Sequence, residues 1–488
     1  MANPSDTQSE SFQESLEGYK FQTEGGRAIH FFLDHLLIKT YTVEDNEWPL
    51  GDVNVFSDCI GNNTQWVRIH KDQSAYENAL GKFLEQPYLC HRLQNDLKRH
   101  SDALIKKLRD TDFNGLSDDE LKDLIDSVFN DYQKVIRPAP IIRLVDLALI
   151  PRLLKVFQGR KDRDELVAIA SVSEEPSFNL SEEMALLSLA AKIGKEKLET
   201  DSREVSAELS RIKDTYRFSE MGYFNERVKT IEDYKERLSG MIRGSPEERL
   251  AEIKADRKML LDQKRELTTQ ASAEDQKIIR IASTLAHIKD LYKTSINQVI
   301  FWTEPLLHET AERTGEPIER IKDLSPEEMK RLIDRRPLDW KTIEDRTDSH
   351  ILISFNKRLH TLTGQEADRF RRRYQEASHP DKEFTGRCAS RGHVTGKARI
   401  VLGRNDFTKV EKDDILVVMN TSPDFTPILK MAKAIVAEEG GLTAHVSIIS
   451  REMKVPAVVG ISRITSILKD GDLVEVDANK GVVRIVGM

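Results

Sequence analysis

Glu438-Glu439-Gly440-Gly441-Leu442-Thr443-Ala444-His445-Val446-Ser447-Ile448-Ile449-Ser450-Arg451-Glu452, followed by Val455-Pro456-Ala457-Val458-Val459-Gly460, decides how the chain reads. A paired glycine ahead of polar residues permits a tight turn with positive φ and lets backbone approach a bulky ligand. Thr443 is placed to cap a helix whose apolar positions Val446, Ile449 and Met453 recur at helical spacing and would pack on a sheet. His445 then falls in the first turn. Unpaired amides and the positive end of the helix favour an anion there. Neutral imidazole is nucleophilic near pH 7, and its phosphoramidate passes a phosphoryl group on. His445 is therefore the candidate phosphoryl-accepting nucleophile, with Thr443 and Arg451 as candidate catalytic partners and Gly440 and Gly441 as the candidate phosphate loop.

Gly440, Gly441, Thr443, His445, Ser450, Arg451, Glu452 and Pro456 to Gly460, in that register, resemble the phosphohistidine swivelling domain of the PEP-utilising enzymes. That group includes PEP synthase, pyruvate phosphate dikinase and rifampicin phosphotransferase. Upstream, Gly392-His393-Val394-Thr395-Gly396-Lys397-Ala398-Arg399-Ile400-Val401 resembles the domain's opening strands, and Leu468 to Asp472 and Val474 to Val483 resemble its closing ones. The resemblance covers residues 384 to 488. It implies a compact α/β domain that carries a phosphoryl group on His445 between two reaction centres, with ATP as donor and Mg²⁺ as its companion.

Composition sets outer limits. A chain of 488 residues is long for one core and predicts two or three domains. A net charge of -8 does not point to nucleic acid or an anionic membrane as a partner, and no apolar run reaches membrane-spanning length. Cys59, Cys90 and Cys388 make neither a disulfide framework nor a metal cluster, which fits a reducing cytoplasm.

The expected architecture is multidomain α+β: a large, mainly helical domain followed by a compact α/β swivelling domain. Residues 1–15 read as a flexible tail, and 16–100 as a mixed α/β segment packed on the helical domain. Within it Trp66 to His70 alternates as a strand does, and Tyr76 to Lys98 is helical with a break at Pro87. Residues 101–377 read as a helical acceptor-binding domain. Ser117-Asp118-Asp119-Glu120 is a capping box, and Ser245-Pro246-Glu247-Glu248 and Ser325-Pro326-Glu327-Glu328 repeat it with proline at the first helical position. Leu144 to Leu154 is an apolar stretch interrupted by Pro151, and Leu261 to Leu307 reads as one or two long helices of a bundle. Residues 378–391 read as a hinge linker, and 392–488 as the swivelling domain with strands near 398–402, 415–419, 434–437, 457–459 and 474–477.

The multidomain relatives implied by the resemblance carry an ATP-grasp domain and, in the pyruvate enzymes, a barrel after the swivelling domain. The chain ends soon after the motif, and its first 380 residues show no glycine-rich phosphate loop with a lysine, so ATP is expected on a separate ATP-grasp subunit. The arrangement resembles the phosphohistidine subunit of phenylphosphate synthase, which implies a small hydroxyl or phenolic acceptor. His91, Arg92, His287 and His308 are candidate acceptor-binding residues in the helical part. A non-catalytic phosphocarrier or regulator and a rifampicin phosphotransferase-like antibiotic-modifying subunit are the alternative readings.

Overall fold

The computed structural model describes residues 20–28, 31–40, 54–60, 63–70, 74–219, 221, 228–378, 383–419, 421, 425–438, 445–461 and 464–487. They fall into two compact units. One takes in described residues within Ala28–Val53 and Asp72–Ile343, the other those within Met1–Arg27, Asn54–Lys71 and Glu344–Met488.

The first unit is helical. Its principal helices are α1 (Tyr88–Asp110), α2 (Asp118–Ile136), α3 (Ala139–Val156), α4 (Phe178–Glu196), α5 (Arg203–Tyr216), α6 (Ile231–Ile242), α7 (Ala273–Thr314) and α8 (Pro326–Ile333). Pro87 stands directly before α1, so the predicted break is where the structure has it. At α2 the Glu120 amide donates to Ser117 Oγ at 3.3 Å and the Ser117 amide donates to Glu120 Oε2 at 2.8 Å. Ser325 and Glu328 repeat this box at α8. The third expected box is absent: the helix Pro246–Gln270 does start at the proline, but Ser245 makes no side-chain cap, its backbone standing at φ -112° and ψ 76°.

Pro151 does not interrupt α3, which runs through it. An interior proline costs roughly 3 kcal/mol or more. Burial of Ile141, Leu144, Val145, Leu149 and Leu153 on the same helix, at about 1.5–3 kcal/mol per side chain, outweighs that. These residues share one core with Leu89, Cys90 and Leu93 of α1 and with Ile278, Ile281, Leu285 and Ile288 of α7. A second core joins α4, α5 and α6 through Leu186, Ile193, Leu209, Tyr234 and Leu238.

In the second unit, strands β1 (Lys20–Ala28), β2 (Asn54–Ile60), β3 (Asn63–His70), β4 (Ser349–Phe355) and β5 (Arg358–Thr363) form a sheet in the order β1-β3-β2-β4-β5. Ser349 to Thr363 thus departs from the helical reading of that stretch. Asn356 and Lys357 take φ of 47° and 59°, the left-handed pair that a two-residue hairpin turn requires. Helix α9 (Gly364–Ser378) covers one face, with Phe370 edge-on to Phe56 at 5.1 Å and Arg371 paired to the buried Asp58 at 2.8 Å.

The C-terminal part is built on β6 (Glu383–Thr385), β7 (Arg387–Ser390), β8 (His393–Val401), β9 (Ile415–Val418), β10 (Ala434–Ala437), β11 (Ala457–Val459), β12 (Leu473–Asp477) and β13 (Val482–Gly487). Their order is β6-β13-β12-β8-β9-β10-β11-β7, so the two end strands are separated in sequence by Gly386 alone. The Gly386 amide donates to Gly481 O at 2.8 Å. A Cβ on Gly386 would meet Val459 O at 2.6 Å, so only glycine lets the chain pass there without a shift. Of the stretch expected as a hinge, residues 383–390 supply β6 and β7, while 379–382 lie outside the described residues.

Strands β8 to β11 run parallel. Every residue of β9, β10 and β11 is buried, as in a parallel sheet covered on both faces. Ile415, Val417, Ala434 and Val436 face one apolar layer with Ile464 and Leu468, and Leu416, Val418, Ile435 and Ala437 face the other with Val446, Ile449 and Met453.

Candidate functional site

Helix α10 (His445–Met453) follows β10, and His445 is its first residue. In an open parallel sheet, loops leaving the carboxyl ends of strands are where ligands gather. Val446, Ile449 and Met453 hold the helix against the sheet, as their spacing predicts. Ser447 and Ser450, both buried, keep the helix close to the sheet, and Lys454 at φ 55° ends it in the left-handed conformation common at helix ends. Arg451 lies exposed in the last turn. Gly440, Gly441 and Thr443 lie outside the described residues, as does any description of the His445 side chain.

Glu438 was not singled out by the sequence reading. It directly follows β10, just before the histidine loop, and is buried, at 6% exposure. Its amide donates to Val418 O at 3.0 Å, and its Oε1 accepts from the Thr465 amide at 3.0 Å and from Thr465 Oγ1. The carboxylate thereby ties the strand that leads into the histidine loop to helix α11 (Ile464–Ile467). An acidic pair ahead of the double glycine was visible, but the partner of Glu438 lies 27 residues on, beyond any local pattern.

The candidate acceptor residues lie on two helices. His91 and Arg92 lie on α1, where His91 is exposed and Arg92 pairs with Asp96 at 3.5 Å. His287 Nε2 lies 3.2 Å from Gln94 Nε2, and His308 is exposed with Nε2 3.8 Å from Glu304. His287 and His308 both ride α7. Their 21-residue separation at 1.5 Å per residue sets them roughly 30 Å apart along the axis, too far to serve one small molecule together.

What the helical unit does assemble is a buried ionic hub. Glu182 of α4 receives Lys229 Nζ at 2.8 Å, Ser219 Oγ at 3.2 Å and the Tyr234 hydroxyl, and Arg237 Nη1 stands 3.1 Å away. Burial works to raise the Glu182 carboxyl, but hydrogen bonds from Lys229 and Tyr234 and the charges of Arg237 and Lys229 hold it below the usual carboxylate range. Among the described residues no group of three or more His, Cys, Asp or Glu could hold a metal ion, and no helix is long and apolar enough to cross a membrane.

A residue of nucleophilic type thus heads a helix that follows a parallel strand, in a sheet covered by apolar layers on both faces. Residues 410–481 match the PEP-utilising enzyme mobile domain. A probable phosphoenolpyruvate synthase of Archaeoglobus fulgidus is 49% identical over 98 residues, which is 20% of this chain and 13% of that protein. Rifampicin phosphotransferase of Bacillus cereus is 31% identical over 169 residues, 35% of this chain and 19% of its own length. Rifampicin phosphotransferase of Bacillus subtilis is 28% identical over 233 residues, 46% of this chain and 27% of its own. The chain thus spans a minor part of each of these relatives. An alignment of 233 residues is longer than the mobile domain, so part of it falls in the residues before that domain.

Proposed function

We propose that the chain is the phosphohistidine-bearing subunit of a split, ATP-dependent phosphotransferase. A separate ATP-grasp subunit charges His445, and the mobile domain delivers the phosphoryl group to the hydroxyl of a small, phenolic acceptor held by the helical unit, in the manner of phenylphosphate synthase. The observation that carries this reading is the place of His445 as first residue of α10 in a domain that matches the mobile domain of PEP-utilising enzymes. In the charging step an imidazole nitrogen forms the N–P bond as a P–O bond of ATP breaks; in delivery the acceptor oxygen forms its O–P bond as N–P breaks and the acceptor proton leaves to solvent or a base. Positioning and neutralised oxygens carry such transfers, which suits a helix N-terminus. ATP and Mg²⁺ belong, in this reading, to the partner subunit.

A second reading, that the acceptor is a larger hydroxylated antibiotic, draws support from the extended similarity to rifampicin phosphotransferase. Incubation of the chain with ATP labelled at the β- or γ-position, with and without a candidate ATP-grasp partner, tests the first reading. Mass spectrometry should find one phosphoryl group, on His445. Label on another side chain, or none with any partner, overturns it.

A further inference from the structure

Arg217, at the carboxyl end of α5, carries a guanidinium stacked among three aromatic rings: 4.5 Å from the centroid of Phe301, 5.3 Å from Phe218 and 5.9 Å from Trp302. The rings form an edge-to-face nest, with Phe218 and Phe301 at 5.1 Å and Phe301 and Trp302 at 5.2 Å. Phe218 is buried, whereas Phe301, Trp302 and Arg217 are half-buried. Arg217 Nε is buried with no hydrogen-bond partner, and among the described residues no carboxylate pairs with the guanidinium. An arginine in an aromatic setting, with no carboxylate of the described residues on it, offers a planar fork suited to an anion.

The backbone that presents Arg217 is held from two sides. Asn297 Nδ2 of α7 donates to Phe218 O at 3.2 Å and to Met221 O at 2.9 Å. The Lys229 amide donates to Arg217 O at 3.1 Å, and Glu182 grips both Ser219 and Lys229. In that hub Lys229 and Arg237 both stand on the Glu182 carboxylate. A backbone held in this way, with a cation that no described carboxylate pairs, has the features of a preorganised binding group.

We propose that Arg217, Phe301 and Trp302 form a binding site for a small planar aromatic anion, whose charged group the guanidinium takes in its fork while the ring packs on Phe301 and Trp302. Calling this ligand the acceptor, or its phosphorylated product, rests on the function proposed above; the site itself does not. Phenyl phosphate is the probe. The chain has tryptophans at 48, 66, 302 and 340, so a signal from the site is one that Trp302→Phe removes.

Titration of the full chain with phenyl phosphate should give a saturable fluorescence change that is lost in Trp302→Phe and kept in His445→Ala. By calorimetry, Arg217→Gln should weaken binding at least about tenfold, the worth of a charge-assisted contact. Arg217→Lys, which keeps the charge and loses the fork, should fall between the two, and inorganic phosphate should compete poorly because it has no ring. Circular dichroism matching wild type establishes that the variants fold. No saturable change in wild type, equal affinity in Arg217→Gln, or inorganic phosphate competing as well as phenyl phosphate overturns the proposal. Binding at Arg217 without any phosphoryl group on His445 would sink the proposed function and leave this site standing; a charged His445 with no binding would do the reverse.

Discussion

The mobile domain and the helical unit keep their functional groups in opposite ways. In the mobile domain the candidate nucleophile, its loop and the apolar positions that seat its helix fall within one run of sequence, residues 438–460. In the helical unit the ionic hub and the aromatic nest draw on α4, α5, α6 and α7, from Glu182 to Trp302. Under the proposed function, a group that travels would gain from carrying its own surroundings, whereas a group that receives could be assembled from distant helices. The first kind of site is legible as a motif, and the second only as a fold.

The sharpest way to break this contrast is His445→Ala. Phosphoryl transfer should fall below about 1% of wild type, more than ~2.7 kcal/mol in barrier terms, with circular dichroism and melting unchanged. Substantial residual transfer, followed by product chromatography, would show that the chemistry is not concentrated in the motif.

Glu182→Ala should act in the other direction, on stability. It leaves Lys229 buried without its carboxylate, and breaking such a pair costs about 3–5 kcal/mol. A urea midpoint close to wild type would remove the hub from the account of the helical unit. The same residue predicts a smaller dependence on acidity. Its carboxyl titrates below its ordinary value of 4.5, so its contribution is fully present above about pH 4.5 and is lost as pH falls through the lowered value. Urea midpoints of wild type should drop on that descent more steeply than those of Glu182→Gln. The smallest effect belongs to Ser325→Ala, which removes one capping box from α8 at a cost of about 1 kcal/mol and should leave the mobile domain untouched.

What the sequence made visible follows the same division. The helix headed by His445, the short buried strands β9 to β11, the capping boxes at Ser117 and Ser325 and the start of α1 after Pro87 all rest on neighbours within a few residues. The strands β4 and β5 were missed although Ser349 to Thr363 is rich in β-branched and aromatic residues, because Asn356-Lys357 lacks the glycine that normally announces such a turn. The other partner of β4, β2, lies almost 300 residues earlier, so nothing nearby marks that pairing. Ser245 failed as a cap for the opposite reason, since a fitting local pattern met a backbone geometry unsuited to capping. Arg217 was one arginine among many until the fold brought Phe301 beside it.

The join at Gly386 bears on how the mobile domain meets other molecules. Because β6 and β7 stand at opposite ends of the strand order and are joined through a single residue, the two end strands, of 3 and 4 residues, are tethered to each other by the chain itself. Edges that short offer a foreign strand little length along which to zip. For any visiting protein, loops and helix surfaces are the larger area this domain presents.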